Sequence, residues 1–522
     1  MKILVASEYH MLNTGYALCY QHICESLHNA GHEVTELASY GNEGIKEHVE
    51  HAKQCPWNVY LNIPNQNSPD YKRYLEAKKT DPATEHGSWD FNNVVLECMP
   101  DVVLAIRDHW YDKHIIDSPL RPYYNVILSP TVDSMPLKAD WIDTYNRADK
   151  ITSYNQWSED WLRTQMGTDN IVPHISPGVH AAYKRLDTRY CRAKFGIPFD
   201  QKVILTVMRN QGRKRYPELF EALSELKDVN LHCHCHYLDR YWDLPKLAIQ
   251  YGVQNRVYFT YKCGSCSDIS IDSYQENGKC NKCNNNKEIC SVQDGISPEE
   301  MNLIYNNCNI YVQWANSEGF GISPIEAAAC GKKVITVDYS AQEDVGNKVL
   351  AHKIKPLTLQ REVFTLCNRA IPNNSELAKY LGDSDSWSYD SDAIIKSANE
   401  HYNWELNGKK WVELVNSCTP RNMWRYSPNL IHPPSLEKIS RLNNVEFMKA
   451  CILSVVQDAS LLGSHMHAES LERLNKGHFI PHGRDVPVAV NKETIYNHFI
   501  YLLEERVKWE KEKNRVLESA KK

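Results

Sequence analysis

Two glutamates eight positions apart, Glu318 and Glu326, bracket the segment E-G-F-G-I-S-P-I-E. Gly319, Phe320 and Gly321 form a flexible turn between them, followed by Ile322 and the dipeptide Ser323-Pro324. Ser323 reads as a helix N-cap and Pro324 as the first helical residue, where its missing N–H costs nothing. A loop feeding a helix N-terminus can hold a phosphate on backbone N–H groups while flanking carboxylates accept hydrogen bonds from sugar hydroxyls. Ser323 and Glu326 also have the spacing of a capping box, in which Glu326 would only close its own helix.

About a hundred residues earlier comes R-N-Q-G-R-K, residues 209–214, with three cations placed after one strand pattern and before a helix at Pro217. Arg209 offers a planar fork and Lys214 a point charge, and the two can converge on a diphosphate. The alternative is a solvated basic loop. Both segments follow strands in one alternating series, and the ends of such strands are where open α/β sheets bind ligands.

Cys263-x-x-Cys266 and Cys280-x-x-Cys283 form a third constellation, in a stretch rich in Gly, Asn and Lys. This spacing predicts a four-thiolate zinc ribbon with a closed, structural coordination shell. Cys290 is a spare thiol or a replacement ligand. His232 to His236 alternate His and Cys, which suits the two faces of a strand better than a second metal site.

The elements that must hold these groups alternate strand and helix. Ile3–Ala6, Val34–Leu37, Val102–Ile106 and Val126–Leu128 read as strands, with a helix from Tyr16 to Ala30 and a polar, irregular stretch over about 41–90. A second series holds strands at Val203–Val207, Val229–His236, Val257–Thr260, Ile310–Gln313 and Val334–Val337, with helices at Pro217–Leu226 and Pro298–Asn307. The pattern predicts two Rossmann-like α/β halves, 1–180 and 181–420, with the zinc ribbon inserted at about 261–292. A mostly helical extension, 421–522, ends in an amphipathic pattern through Ile495, Phe499, Leu502 and Trp509, which suits a solvated helix or an oligomer contact.

With 522 residues and a net charge of −6, the chain is long enough for two or three domains and shows no overall basicity toward nucleic acid. No apolar run reaches the length of a membrane span, and the short apolar start reads as a first strand rather than a signal peptide. Seventeen cysteines without a secretory signal imply a reducing cytoplasm.

On these motifs the chain resembles the retaining GT-B glycosyltransferases of family 4, also called glycosyl transferases group 1. E-G-F-G-I-S-P-I-E resembles that family's E-x7-E motif, and R-N-Q-G-R-K its Arg-to-Lys diphosphate clamp. The likeness extends from Met1 to about 417. It takes in N-T-G-Y-A (13–17), P-G-V-H (177–180), and a closing helix with Trp404 and Trp411 that commonly crosses back to the first domain.

The resemblance implies transfer of a sugar from a nucleotide-diphosphate sugar with retention of configuration. Glu318 would meet the donor sugar and Glu326 the ribose, while backbone N–H groups from Phe320 to Ser323 hold sugar and phosphate. Arg209 and Lys214 would offset charge on the departing diphosphate. Thr14 and Gly15 would approach a phosphate or the acceptor, although Thr14 also suits a helix cap; Asn13 is their neighbour. Asp108 and His109, just past a strand, would contact donor or acceptor, although His109 is offset from the family's usual H-x-H. Asp133 is a further cleft candidate. The acceptor stays open among glycan, lipid-linked sugar, protein, small metabolite and modified nucleic-acid base. A non-catalytic GT-B scaffold and a sugar-nucleotide epimerase or phosphorylase are the other readings.

Overall fold

The computed structural model describes residues 1–421 and 424, apart from 13, 119, 240 and 292–294, together with the strand pair 478–479 and 488–489. The first half is a six-stranded sheet built from β1 (Lys2–Glu8), β2 (Glu33–Asn42), β3 (Asn58–Ile63), β4 (Val102–Arg107), β5 (Asn125–Pro130) and β6 (Lys150–Ile151). Its order is β3-β2-β1-β4-β5-β6, with every neighbouring pair parallel. β4 reads V-V-L-A-I-R and is buried at every residue, as expected of a central parallel strand covered on both faces.

The second half orders β10-β9-β8-β7-β12-β13-β14, from β7 (Lys202–Thr206), β8 (Val229–Cys233), β9 (Val257–Cys263), β10 (Ile269–Asp272), β11 (Lys287–Ile289), β12 (Ile310–Gln313), β13 (Lys333–Val337) and β14 (His352–Ile354). β10 and β11 both pair antiparallel with the end of β9 and carry the cysteine-rich insertion. A hairpin of β15 (Thr358–Arg361) and β16 (Asn368–Ile371) reaches toward the first half, where Asn368 N donates to Met135 O (2.8 Å).

One stretch departs from the sequence reading. Residues 41–90 are not irregular: they hold the helix Lys46–Gln54, β3 and the helix Pro69–Thr80. β3 is an edge strand, N-V-Y-L-N-I, with Val59, Tyr60, Leu61 and Ile63 only half-buried and the polar Asn62 its one buried residue, so its apolar period is faint. The strand expected at Val229–His236 ends at Cys233, because His234 onward turns into the cleft.

The two halves share apolar packing. One cluster runs from Ile23 and Leu27 through Tyr402 and Trp411 to Phe320 and Ile325. The helix Trp404–Asn416 lies against the first helix, Gly15–Asn29, with the Trp404 ring stacked on His22 at 4.7 Å. Gly178 and Gly408 make room for this crossing, since a Cβ at the first would meet Trp404 and at the second Ser26. The amphipathic pattern at 495–509 lies outside the described residues, as does most of 421–522.

Candidate active site

Between the halves lies a cleft of about 1060 Å³, lined from both sheets at the C-terminal ends of their strands. On the second-half side, Lys214 and Glu318 face one another after β7 and β12 and form a buried ion pair. Arg213 Nη1 donates to the other carboxylate oxygen of Glu318 (2.7 Å), and Gln313 Nε2 adds a third bond (2.6 Å). Burial pushes the Glu318 carboxyl up, but Lys214 and then Arg213 outweigh it and hold it below the usual carboxylate range. Burial and then the adjacent Arg213 charge bring the Lys214 ammonium down to about 8, against the pull of Glu318.

Arg209 pairs with Asp239 rather than with Glu318. It lines the cleft half-exposed, with Nε donating to Asp239 (2.9 Å), and Arg213 holds the place next to the lysine. The sequence showed three cations in this loop. Strand-end geometry, which spacing does not report, decides which two meet the glutamate.

The helix after Glu318 runs Ile322–Ala329 with Gly321 as N-cap, so Ser323 and Pro324 lie inside the first turn. Gly321 has φ +85°, a conformation glycine takes without steric cost, and it turns the chain where a serine cap had been expected. No capping box forms. Glu326 instead points sideways, buried, and accepts from the Tyr305 hydroxyl (2.6 Å). Burial raises its carboxyl to about 7, while hydrogen bonds from Tyr305 and Tyr183 oppose the shift. Neither tyrosine lies in a motif of the sequence. Tyr305 lies on the helix Pro298–Asn307 with Met301 one turn away, a 3.6-residue relation that could have pointed to it.

Ile322 and Ser323 carry N–H groups of the first helical turn, which lack partners within the helix. Their neighbour Phe320 turns its ring into the core against Tyr154 (6.2 Å) and Tyr402 (5.7 Å). Gly319 touches the first half, where a Cβ would overlap the Thr131 methyl, and its carbonyl accepts from Asn155 Nδ2 (2.8 Å).

From the first half, Thr14 caps the helix Gly15–Asn29, accepting from Ala17 N (3.1 Å) and donating to Glu8. Gly15 faces Ile322 across the cleft. Asp108 is held by the Tyr16 hydroxyl (2.7 Å), and burial raises its carboxyl to about 6. His109 opens the short turn His109–Tyr111, and its side chain lies outside the described residues, as does Asn13. Asp133 pairs with Arg369 Nη1 (2.7 Å) of β16, joining the halves beside the site. His232 Nε2 and His234 Nδ1 both contact Thr260 Oγ1 (2.8 and 2.9 Å), so these rings are tied to a strand neighbour.

The cysteine insertion brings Cys263, Cys266, Cys280 and Cys283 together, with all four sulfurs within 4.8 Å of one another. Cys263 and Cys283 are 3.5 Å apart, and Cys266 and Cys280 are 3.6 Å apart. A tetrahedron of metal–sulfur bonds of about 2.3 Å has edges of roughly 3.8 Å, so the four thiols fit such an ion. Cys290 leaves β11 to line the cleft, and its N–H donates to Thr260 O (3.0 Å).

Residues 272–348 match the family Glycosyl transferases group 1. It is 31% identical over 137 residues to a sucrose synthase of Melioribacter roseus, a match covering 26% of this chain and 16% of that protein. The fold is GT-B. Sucrose-phosphate synthase of Thermosynechococcus elongatus superposes with a TM-score of 0.58 at 15% identity, covering 80% of this chain and 98% of the other. HepE of Anabaena, solved with UDP and glucose, gives 0.56 at 14% identity, over 80% of this chain and all of that one. A glycosyltransferase of Rickettsia africae gives 0.54 at 15% identity, over 80% and 98%. Among the described residues, no helix is long and apolar enough to cross a membrane.

Proposed function

We propose that this chain transfers a glycosyl group from a nucleoside-diphosphate sugar to a hydroxyl acceptor with retention at the anomeric carbon. The observation that carries the reading is the convergence of Lys214, Arg213 and Glu318 in front of the helix at Ile322, inside a cleft shared by both halves. Two cations satisfied by one buried carboxylate are a stored anion site. An arriving diphosphate draws Lys214 and Arg213 to itself, and Glu318 is released toward the sugar hydroxyls. Arg209 adds a longer-range charge at the rim, and the free N–H groups at Ile322 and Ser323 receive phosphate or sugar oxygens. Glu326, between Tyr305 and Tyr183, suits the paired hydroxyls of a ribose.

In the reaction the bond from the anomeric carbon to the diphosphate oxygen breaks as the acceptor oxygen bonds on the same face. The acceptor proton passes to the departing phosphate oxygen. Stabilising charge on that leaving group is the principal catalytic contribution of the site. Asp108 and the neighbouring turn at His109 stand on the acceptor side.

The four thiols suit one zinc ion, which supplies structural cross-linking and leaves no open coordination position. A thiolate site needs reduced cysteines, in keeping with the cytoplasmic expectation. Its place in the chain gives it a task. Lys262 Nζ, on the strand that enters the insertion, donates to Gly295 O (2.9 Å), three residues before the helix that carries Tyr305 to Glu326.

The test is incubation of zinc-loaded protein with a panel of nucleotide sugars, scoring nucleoside-diphosphate release with and without acceptors. Release from none of them, with zinc content verified, rejects the enzymatic reading.

A further inference from the structure

The cleft has two chemically different walls. Among the described residues that line it, every cation, Arg209, Arg213, Lys214 and Arg369, comes from the second half, and the first half contributes no Lys or Arg. The first-half wall instead presents Glu8, Tyr16, Tyr40, His86, Asp108 and Trp110. His86 carries no charge at neutral pH, since burial and the nearby Arg107 bring its pKa down to about 3. Its ring stacks on Tyr111 at 3.6 Å, and the Trp110 ring beside them is 41% exposed. Tyr16 and Asp108 are already joined by a hydrogen bond of 2.7 Å, which fixes the carboxylate's direction.

Charge accounting over the cleft points the same way. Six carboxylates face four cations along its lining, before any donor enters. Each cation is paired with an acid: Arg209 with Asp239, Arg213 and Lys214 with Glu318, and Arg369 with Asp133. A diphosphate would take up the Arg213 and Lys214 pair and make the cleft more negative still. Residues 1–180 carry 14 Lys and Arg against 24 Asp and Glu, a net charge of −10, so this half also lacks the field that collects polyanions.

We infer that the acceptor is an uncharged saccharide, seated on the carboxylate and aromatic wall of the first half, and that phosphate-bearing acceptors, nucleic acid included, are rejected. The inference rests on the glycosyl-transfer reading above and adds the acceptor's class. Sugar hydroxyls donate to carboxylates, and the apolar C–H face of a pyranose lies flat on aromatic rings such as Trp110 and Tyr111. A phosphate in the same place would face Glu8 and Asp108, with Arg209 and Arg369 already paired to Asp239 and Asp133.

The experiment uses zinc-loaded, full-length protein and first measures nucleoside-diphosphate binding by calorimetry. Donor-dependent transfer is then scored on neutral mono- and disaccharides, on their phosphorylated counterparts, and on duplex DNA containing hydroxymethylpyrimidine. Neutral saccharides are expected to exceed their phosphates by at least about tenfold in kcat/KM, with no transfer to DNA. Asp108→Asn is expected to raise acceptor KM about tenfold, as loss of a charged hydrogen-bond acceptor does, with nucleoside-diphosphate affinity unchanged. Preference for phosphorylated sugars or DNA overturns the inference, as does donor binding without transfer to any neutral saccharide. An unchanged acceptor KM in Asp108→Asn does the same. Absence of binding to every nucleoside diphosphate instead rejects the glycosyl-transfer reading itself.

Discussion

Replacing Glu326 by glutamine separates what this residue costs the fold from what it offers a ligand. Its carboxyl titrates near 7 in the folded chain because burial penalises the charge, against an ordinary value of 4.5. Between those two pH values the folded protein holds a proton that the unfolded chain has released. Unfolding therefore releases a proton, and raising the pH favours unfolding by about 1.4 kcal/mol per unit across that window. The whole penalty is roughly 3 kcal/mol, absent below pH 4.5 and complete above 7. Glutamine keeps an oxygen for the Tyr305 hydroxyl and cannot ionise. The stability difference between Glu326→Gln and the parent should be small at pH 5 and grow to about 2–3 kcal/mol in favour of the variant at pH 8. Urea unfolding of zinc-loaded protein, repeated from pH 5 to 8.5, measures it. The same variant should bind nucleoside diphosphate more weakly at pH 8, where the parent offers a full carboxylate to the ribose. A stability difference that stays flat with pH, or that falls as pH rises, refutes the assignment of Glu326 as a buried, strained acid.

Four other outcomes are expected. Lys214→Ala should lower turnover more than donor affinity, whereas Glu326→Ala should mainly weaken donor binding, as steady-state kinetics with direct binding will show. Arg209→Ala, which removes a half-exposed ion pair, should change stability by less than about 1 kcal/mol; Arg213→Ala should cost more, because it takes one of two cations from the buried Glu318. Gly319→Ala should destabilise by about 1–3 kcal/mol through overlap with the Thr131 methyl, and Thr131→Ser, which removes that methyl but keeps the hydroxyl, should restore most of it in a double-mutant cycle. Metal analysis should find one zinc per chain, and chelation or Cys266→Ser should weaken nucleoside-diphosphate binding, read by calorimetry, while the far-ultraviolet spectrum stays largely intact.

The strand–helix alternation was legible wherever a strand is buried on both faces, as in β4 and β12, since the apolar run is then continuous. It failed at β3, an edge strand whose half-exposed residues blur the period. The Glu318–Glu326 segment and the loop at 209–214 were found from residue type and spacing alone. What could not be found was which side chains close the site from elsewhere. Tyr305, Gln313 and Tyr16 come from three separate elements and Tyr183 from a loop, and only the fold brings them to Glu326, Glu318 and Asp108. The capping reading of Ser323 failed for a local reason. Gly321, two residues earlier, could adopt positive φ and took the turn first.

The closing helix Trp404–Asn416 has a consequence for recombining such enzymes. It follows the second half in sequence, yet its partners Ser26, His22 and Gly178 belong to the first. A chimera joined near residue 180 with a foreign second half would bring a foreign helix against the native Gly15–Asn29 surface, and Ser26 would meet whatever side chain replaces Gly408. The unit of exchange is therefore discontinuous. Acceptor preference should transplant only when the first 180 residues travel together with the segment from Trp404 onward.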